Sequence, residues 1–274
     1  MREIGLEELK TLQKEMLFKV HDFCEANNIR YTLIAGTLLG AVRHKGYIPW
    51  DDDIDIAMPR PDYNRFLKIF NGSIDNLYVI APEINWNFYA PYANICDKRT
   101  LVFEGANSHR GIDMGIKIDV FPIDGVPDNY DDFFVKLKRI NKLNDILRYK
   151  RYSLAKMEKN NIGQIIHFFK YVLNRIRYCA NSYSYYQKQL NKVVTSCPYE
   201  NAKFATTWAF TTIFDRYDKE IFENYTSLEF EGKQLRAISD YDLWLRKAHG
   251  DYMQLPPAEK RIPHHGFTAY WKES

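Results

Sequence analysis

The chain has 274 residues, 46% hydrophobic and 27% charged, with a formal net charge of +3. These values exclude a disordered or collagen-like polymer and leave room for one large domain or a core with a sizeable insertion. The charge is unevenly spread: residues 136–192 hold 14 Lys and Arg against Asp145 and Glu158, a local +12, which leaves the remainder at −9. One part therefore favours anionic surfaces and another concentrates carboxylates. Cys24, Cys96, Cys179 and Cys197 form no C-x-x-C pair, which argues against a zinc site or disulfide scaffold and fits a reducing compartment. The opening residues, MREIGLEELK, carry acids and lack the apolar core of a signal peptide. No stretch approaches the ~18 apolar residues of a spanning helix. A cytoplasmic protein is expected.

Leu6, Leu9, Leu12, Met16, Leu17, Val20 and Phe23 recur at steps of one to four residues, which predicts an amphipathic helix over 6–26 ending near Asn27-Asn28. Residues 29–35 then read as a short strand, Gly36-Thr37 as a tight turn, and 37–43 as a helix beginning on that turn. Residues 46–50 form a loop, since Pro49 cannot donate to a ladder. Residues 53–58 alternate acid and apolar, the period of a half-buried strand. Residues 61–70 fit a helix opened by proline. Strands are expected near 77–81, 93–97, 101–103 and 116–121, and helices across the tyrosine-rich basic stretch 131–192. Residues 203–208, 213–215 and 227–230 read as strands or extended loops, and 240–250 as a helix ended by glycine. A proline-broken tail follows. The mixture predicts an α/β (α+β) protein: a core over 1–130, a basic helical insertion over 131–200, and a C-terminal part, 201–274, completing core and site.

Asp51-Asp52-Asp53-Ile54-Asp55 puts four carboxylates in five residues. On a strand, Asp53 and Asp55 project to one side while Ile54 and Ile56 point into the core. Adjacent carboxylates repel unless a cation lies between them, and a hard divalent ion with oxygen ligands, Mg²⁺ or Mn²⁺, resolves that conflict. Asp51 shares their parity but lies where the strand begins, a weaker candidate. A solvated acidic loop is the bland alternative; the interleaved isoleucines and the preceding Pro49-Trp50 argue against it. A calcium loop is excluded because its obligatory glycine position holds Ile56.

Upstream, Gly36-Thr37 lies 17 residues before Asp53. Backbone N–H groups at such a helix start bind phosphate. Arg43, His44 and Lys45 could neutralise phosphate oxygens, or simply form an exposed helix end. Asp119, between Ile118 and Val120, faces opposite to that apolar pair and supplies a third carboxylate. Three carboxylates from two adjacent strands would hold one or two ions over a phosphate.

The run AGTLLGAVRHKGYIPWDDDIDI (35–56) resembles the signature of the LicD family, and KIDVFPID (117–124) resembles its second block. Gly250-Asp251-Tyr252-Met253, Leu255-Pro256-Pro257, Lys260-Arg261 and His264-His265 resemble its C-terminal block, whereas 125–200 matches nothing. The resemblance implies a nucleotidyltransferase-like mixed sheet flanked by helices, in which a Gly-Ser/Thr turn precedes D-x-D and a neighbouring strand adds an acid. LicD and the related fukutin proteins take a phospho-alcohol from a CDP-activated donor, attach it to a sugar hydroxyl and release CMP. Phosphocholine transfer to teichoic acid or lipopolysaccharide is the type activity. By this likeness Asp53, Asp55 and Asp119 hold two ions, and Thr37 stands where serine is frequent. Asp119 is the candidate acceptor of the hydroxyl proton. Arg261, His264 and His265 would contact donor or acceptor phosphates, against a loop-capping use of the paired histidines. The partners implied are a CDP-alcohol and a cell-surface glycan acceptor, with no nucleic acid.

Two further features bear on specificity. Trp86, Phe88, Tyr89 and Tyr92 could cage a quaternary ammonium, although core packing is the commoner use of such rings. Residues 163–186 mix large apolar and aromatic side chains with Lys170, Arg175 and Arg177. That composition fits either a helix lying on the anionic inner face of a membrane, where a lipid-borne acceptor would sit, or core-packed helices with a solvated basic face. The competing functions are a pyrophosphate-releasing nucleotidyltransferase and a non-catalytic glycan- or nucleic-acid-binding module, under which the carboxylates would have no purpose.

Overall fold

The periodic apolar residues near the N-terminus form α1 (Leu6–Ala26), with the expected bounds, and bury Leu9, Leu12, Met16, Leu17 and Val20 in the main core. The structure, a computed structural model, describes residues 1–104, 114–151, 162–210, 216–262 and 267–273. Its central sheet has the order β2 (Thr32–Leu33), β3 (Asp55–Pro59), β7 (Lys117–Val126), β5 (Ala93–Asp97), β4 (Leu77–Ile80). Strands β3 and β7 run parallel; the other pairs in this order are antiparallel. Helices α2 (Ala35–His44) and α3 (Arg60–Ile69) flank β3 along the chain, so the mixed sheet with helices gives the α/β class expected.

Two local expectations change. Strand β2 spans two residues rather than seven, because the chain turns at Ala35 (φ 51°) directly into α2. Strand β3 begins at Asp55, two residues late, and all five of its residues are buried. Its acid–apolar alternation therefore does not separate a wet face from a dry one, as it would in a half-buried sheet.

β1 (Arg2–Ile4), β12 (Phe267–Trp271) and β6 (Thr100–Glu104) form a second sheet that joins both ends of the chain. β10 (Tyr225–Phe230) and β11 (Lys233–Ile238) form a hairpin through Glu231-Gly232, both at positive φ, the backbone of a tight two-residue turn. β1, β11 and β12 were not expected. β8 (Phe204–Thr206) and β9 (Tyr217–Asp218) extend the far end of β7. The strand expected over 213–215 lies outside the described residues.

The basic stretch folds as α4 (Tyr130–Arg151), α5 (Ile162–Arg177) and α6 (Tyr183–Val194), with α7 (Tyr241–His249) later in the chain. α4 and α6 enclose a second apolar cluster of Phe133, Leu137, Ile140, Leu190 and Trp208, joined to the sheet through Val126. Two buried cations lie where this cluster meets the core, and Lys136 bridges the two. Arg60 donates to both oxygens of Asp124 (2.7 Å each) and to Glu83 (3.1 Å). Lys136 donates to the carbonyls of Gly125 (3.3 Å) and Val194 (3.0 Å) and lies 4.9 Å from the Trp208 ring centroid.

Burial pushes the Lys136 amine down from its ordinary value of 10.5 to about 8. Between those values the folded chain binds fewer protons than the unfolded chain, so stability rises with pH. Urea unfolding should show that rise from pH 8 until buried tyrosines, whose pKa values burial raises above 10.0, oppose it. Lys136→Met should flatten the rise; an undiminished rise in that variant contradicts the assignment.

Candidate active site

The connection from α2 to β3 builds the site. No side chain caps the N-terminus of α2, and helix geometry leaves its first N–H groups outside the helical ladder, where an anion can accept from them. The Asp51 carboxylate lies against Gly36: a Cβ there would stand 2.5 Å from Asp51 Oδ2. At Gly40 a Cβ would meet the Gly46 carbonyl at 2.4 Å, so only glycine lets the following loop fold back against α2. Thr37 Oγ1 accepts the Asp55 N–H at 2.8 Å, which fixes the start of β3 to the helix. That buried hydroxyl serves the scaffold.

Parallel pairing then sets Asp55 opposite Asp119, with the Asp119 N–H donating to the Ile54 carbonyl at 2.9 Å. Burial, and then the charges of Asp53 and Asp119, push the Asp55 carboxyl well above the usual carboxylate range; Lys117 opposes them. Lys117 Nζ donates to both oxygens of Asp119, at 2.9 and 3.0 Å. Burial alone would lower the Lys117 pKa, but Asp119, Tyr92 and Tyr89 outweigh it and hold the amine well above the ordinary lysine value. Asn94, the register partner of Asp119 on β5, donates to Asp119 Oδ1.

The three acids proposed from sequence are thus close neighbours in charge and, for two of them, in register. The tightest acidic group among the described residues is a different one. Asp51, Asp52 and Asp53 each bring a carboxylate oxygen within 4.8 Å of the others. Asp52, buried and not singled out from sequence, also accepts Gln13 Nε2 at its carbonyl (3.2 Å). An all-carboxylate set of this kind suits a hard divalent cation.

Asp51, Asp53 and Asp55, with Gly36 and Trp50, line a cleft of about 680 Å³ whose other walls include Arg43, His249, Tyr252, Pro256 and Lys260. Asp119 lines a smaller hollow of about 30 Å³ with Asp52, Lys117 and Asp53, the last shared with the cleft. Arg43 borders the cleft but is committed elsewhere: Nη1 donates to the carbonyls of Tyr252 (2.7 Å) and Gln254 (3.4 Å), and Nε to His44 Nε2 (3.0 Å). It therefore latches the C-terminal segment onto α2. Burial, then the charge of Arg43, lowers the His44 pKa, and its ring stands edge-on to Trp50 at 6.3 Å. Arg261 lies over the same Trp50 ring at 5.6 Å and donates to the Pro256 carbonyl.

Lys45 turns away from the acids. It takes the left-handed conformation that ends α2 (φ 57°) and pairs with Glu229 on β10 at 3.5 Å. His264 and His265 lie outside the described residues. The rings considered for an ammonium cage serve other contacts: Phe88 is buried in a small apolar cluster, Tyr92 meets Phe121 at 4.3 Å, and Tyr89 and Trp86 carry Arg151 and Lys188 over their faces. The sequence assigned no role to Asn94 or His249, and named Lys117 and Lys260 only as parts of the second and C-terminal blocks. The position of Lys117 two residues before Asp119, on the same face of a strand, signals its pairing.

Residues 28–135 match the family described as LicD/FKTN/FKRP, nucleotidyltransferase domain. Across its length the chain is 30% identical to the lipopolysaccharide cholinephosphotransferase LicD of Haemophilus influenzae, covering 98% of this chain and 99% of that protein. The chain belongs to the LicD family. It also shares 46% identity over 92 residues with an uncharacterized protein of Rickettsia typhi, 30% of each chain. A match of 50% over 93 residues to one from Rickettsia prowazekii covers 34% of this chain and 32% of that protein. The LicD-family match contains Asp51, Asp52, Asp53, Asp55 and Asp119, whereas His249, Tyr252 and Lys260 come from beyond it.

Gly36→Ala should displace the Asp51 carboxylate without unfolding the chain. Calorimetric Mn²⁺ titration should then show affinity lower by about tenfold or more, the scale for disturbing a ligand's support. Unchanged affinity would place Asp51 outside any ion site.

Proposed function

We propose that this LicD-family chain is a metal-dependent transferase that moves a phospho-alcohol, phosphocholine foremost, from a CDP-activated donor to a sugar hydroxyl of a cell-surface glycan, releasing CMP. The observation that carries the reading is the cleft whose wall holds Asp51, Asp53 and Asp55 beside the uncapped start of α2, in a chain related end to end to a protein named a cholinephosphotransferase.

Asp51, Asp53 and Asp55, with Asp119 next in register, would hold Mg²⁺ or Mn²⁺, two ions in the full reading. An ion bound there supplies charge neutralisation for the donor diphosphate and the departing CMP. The chain's own groups do the rest. The first amides of α2 donate hydrogen bonds to phosphate oxygens of the CDP-activated donor, and Lys260, across the cleft, adds positive charge. Arg43 contributes by holding the 252–254 wall in place. Asp119 takes the proton of the attacking hydroxyl, for which Lys117 must release one of its two oxygens.

A second reading, a nucleotidyltransferase that releases pyrophosphate, is favoured by the family description itself. Product analysis separates the two. Incubation with CDP-choline, CDP-ethanolamine, CDP-glycerol or CDP-ribitol, a glycan acceptor and Mg²⁺ should release CMP, with CDP-choline preferred, and EDTA should stop it. Asp53→Asn should lower the rate by about 100-fold or more while the protein stays folded. Pyrophosphate as product, or full turnover by Asp53→Asn, would overturn the proposal.

A further inference from the structure

Helix α5 turns an apolar stripe toward solvent. Ile166, Phe169, Leu173 and Ile176 recur at steps of three and four residues, so they share one face, and each is 60–66% exposed. The other side of the helix is anchored: Tyr171 is buried, its hydroxyl donates to the Arg148 carbonyl of α4, and its ring meets Tyr149 edge-on at 5.0 Å. Lys170 and Arg177 border the stripe and line with it a shallow groove of about 500 Å³. The helix contains no acidic residue. Its neighbour α6 differs, since Tyr183, Tyr186 and Leu190 are buried in the second core. Among the described residues of the basic segment 163–186, α5 alone leaves such a face uncovered.

The chemistry of the stripe selects its occupant. Four large apolar side chains kept in water forgo the stabilisation that burial gives, so the face is suited to being covered. The cover must also tolerate the local charge of +12 over 136–192. A second copy of the chain would set that charge against itself. An anionic bilayer offers an apolar interior for the stripe and negative headgroups for the bordering cations. We propose that α5 docks this protein on an anionic lipid surface, with Phe169 and Leu173 entering the headgroup–acyl boundary and Lys170 and Arg177 meeting lipid phosphates. This docking goes beyond the transfer reaction and is read without turnover.

Flotation of the full chain with vesicles of phosphatidylcholine, alone or mixed with phosphatidylglycerol, tests it. Binding should require phosphatidylglycerol and fall with salt. The pair Phe169→Ser, Leu173→Ser should weaken it about tenfold or more, and so should Lys170→Glu with Arg177→Glu. Circular dichroism confirms that each variant is folded, and Ile84→Ser, an exposed apolar residue outside α5, should bind as the parent does. Absence of flotation, equal binding to neutral vesicles, or binding unchanged in both α5 pairs would overturn the proposal. So would sedimentation showing a dimer that Phe169→Ser dissociates.

Discussion

Parallel pairing of β3 with β7 places Asp55 against Asp119 inside a sheet covered on both faces, and the surrounding structure answers the charge problem this creates. Two buried carboxylates in register repel each other and lose their hydration. The chain responds in two ways: Lys117 and Asn94 satisfy Asp119, while Asp55 is left with its ionised form disfavoured beside Asp53. A site with that surplus of negative charge is poised for a cation. Gly36 and Gly40 bring Asp51–Asp53 over the start of α2, and Arg43 closes the far wall by gripping two carbonyls of the C-terminal segment.

What could be read from the sequence follows from how local each signal is. The bounds of α1 and β5 came out as expected, because periodicity and β-branched or apolar runs are written in the segments themselves. β1 and β12 escaped because their pairing partner lies at the opposite end of the chain. The pattern 53–58 was taken as a half-buried strand, whereas the strand begins at Asp55, leaves Asp53 before it and is buried throughout, because burial depends on what covers the sheet. Arg43, His44 and Lys45 show the same limit at the site. A row of cations after a helix looks alike whether the charges meet phosphate, backbone carbonyls or Glu229, and the structure divides them among the latter two and Trp50. Thr37 likewise spends its hydroxyl on the Asp55 amide.

The uneven charge visible in the composition corresponds to two separate cores. The acids of the site belong to the sheet, and the basic helices enclose their own apolar cluster. The joint between them is buried and polar at Lys136 of α4, which donates to a carbonyl of β7 and a carbonyl of α6. Beside it the buried Arg60–Asp124 pair ties α3 to β7, and breaking such a pair from one side typically costs about 3–5 kcal/mol, because the remaining charge stays buried without its partner. Lys136 therefore couples the helices to the strand that also carries Asp119, since Gly125 and Asp119 both lie on β7. Among the described residues no helix is long and apolar enough to cross a membrane.

Crystals grown with Mn²⁺ and CDP-choline test most directly, through the anomalous scattering of manganese, whether these aspartates converge on shared cations beside a diphosphate. Anomalous density is expected bounded by Asp53 and Asp55, with Asp51 or Asp119 completing the set and the donor diphosphate touching it. Manganese bound elsewhere, or a donor seated in the cleft with no metal near these carboxylates, would contradict that convergence.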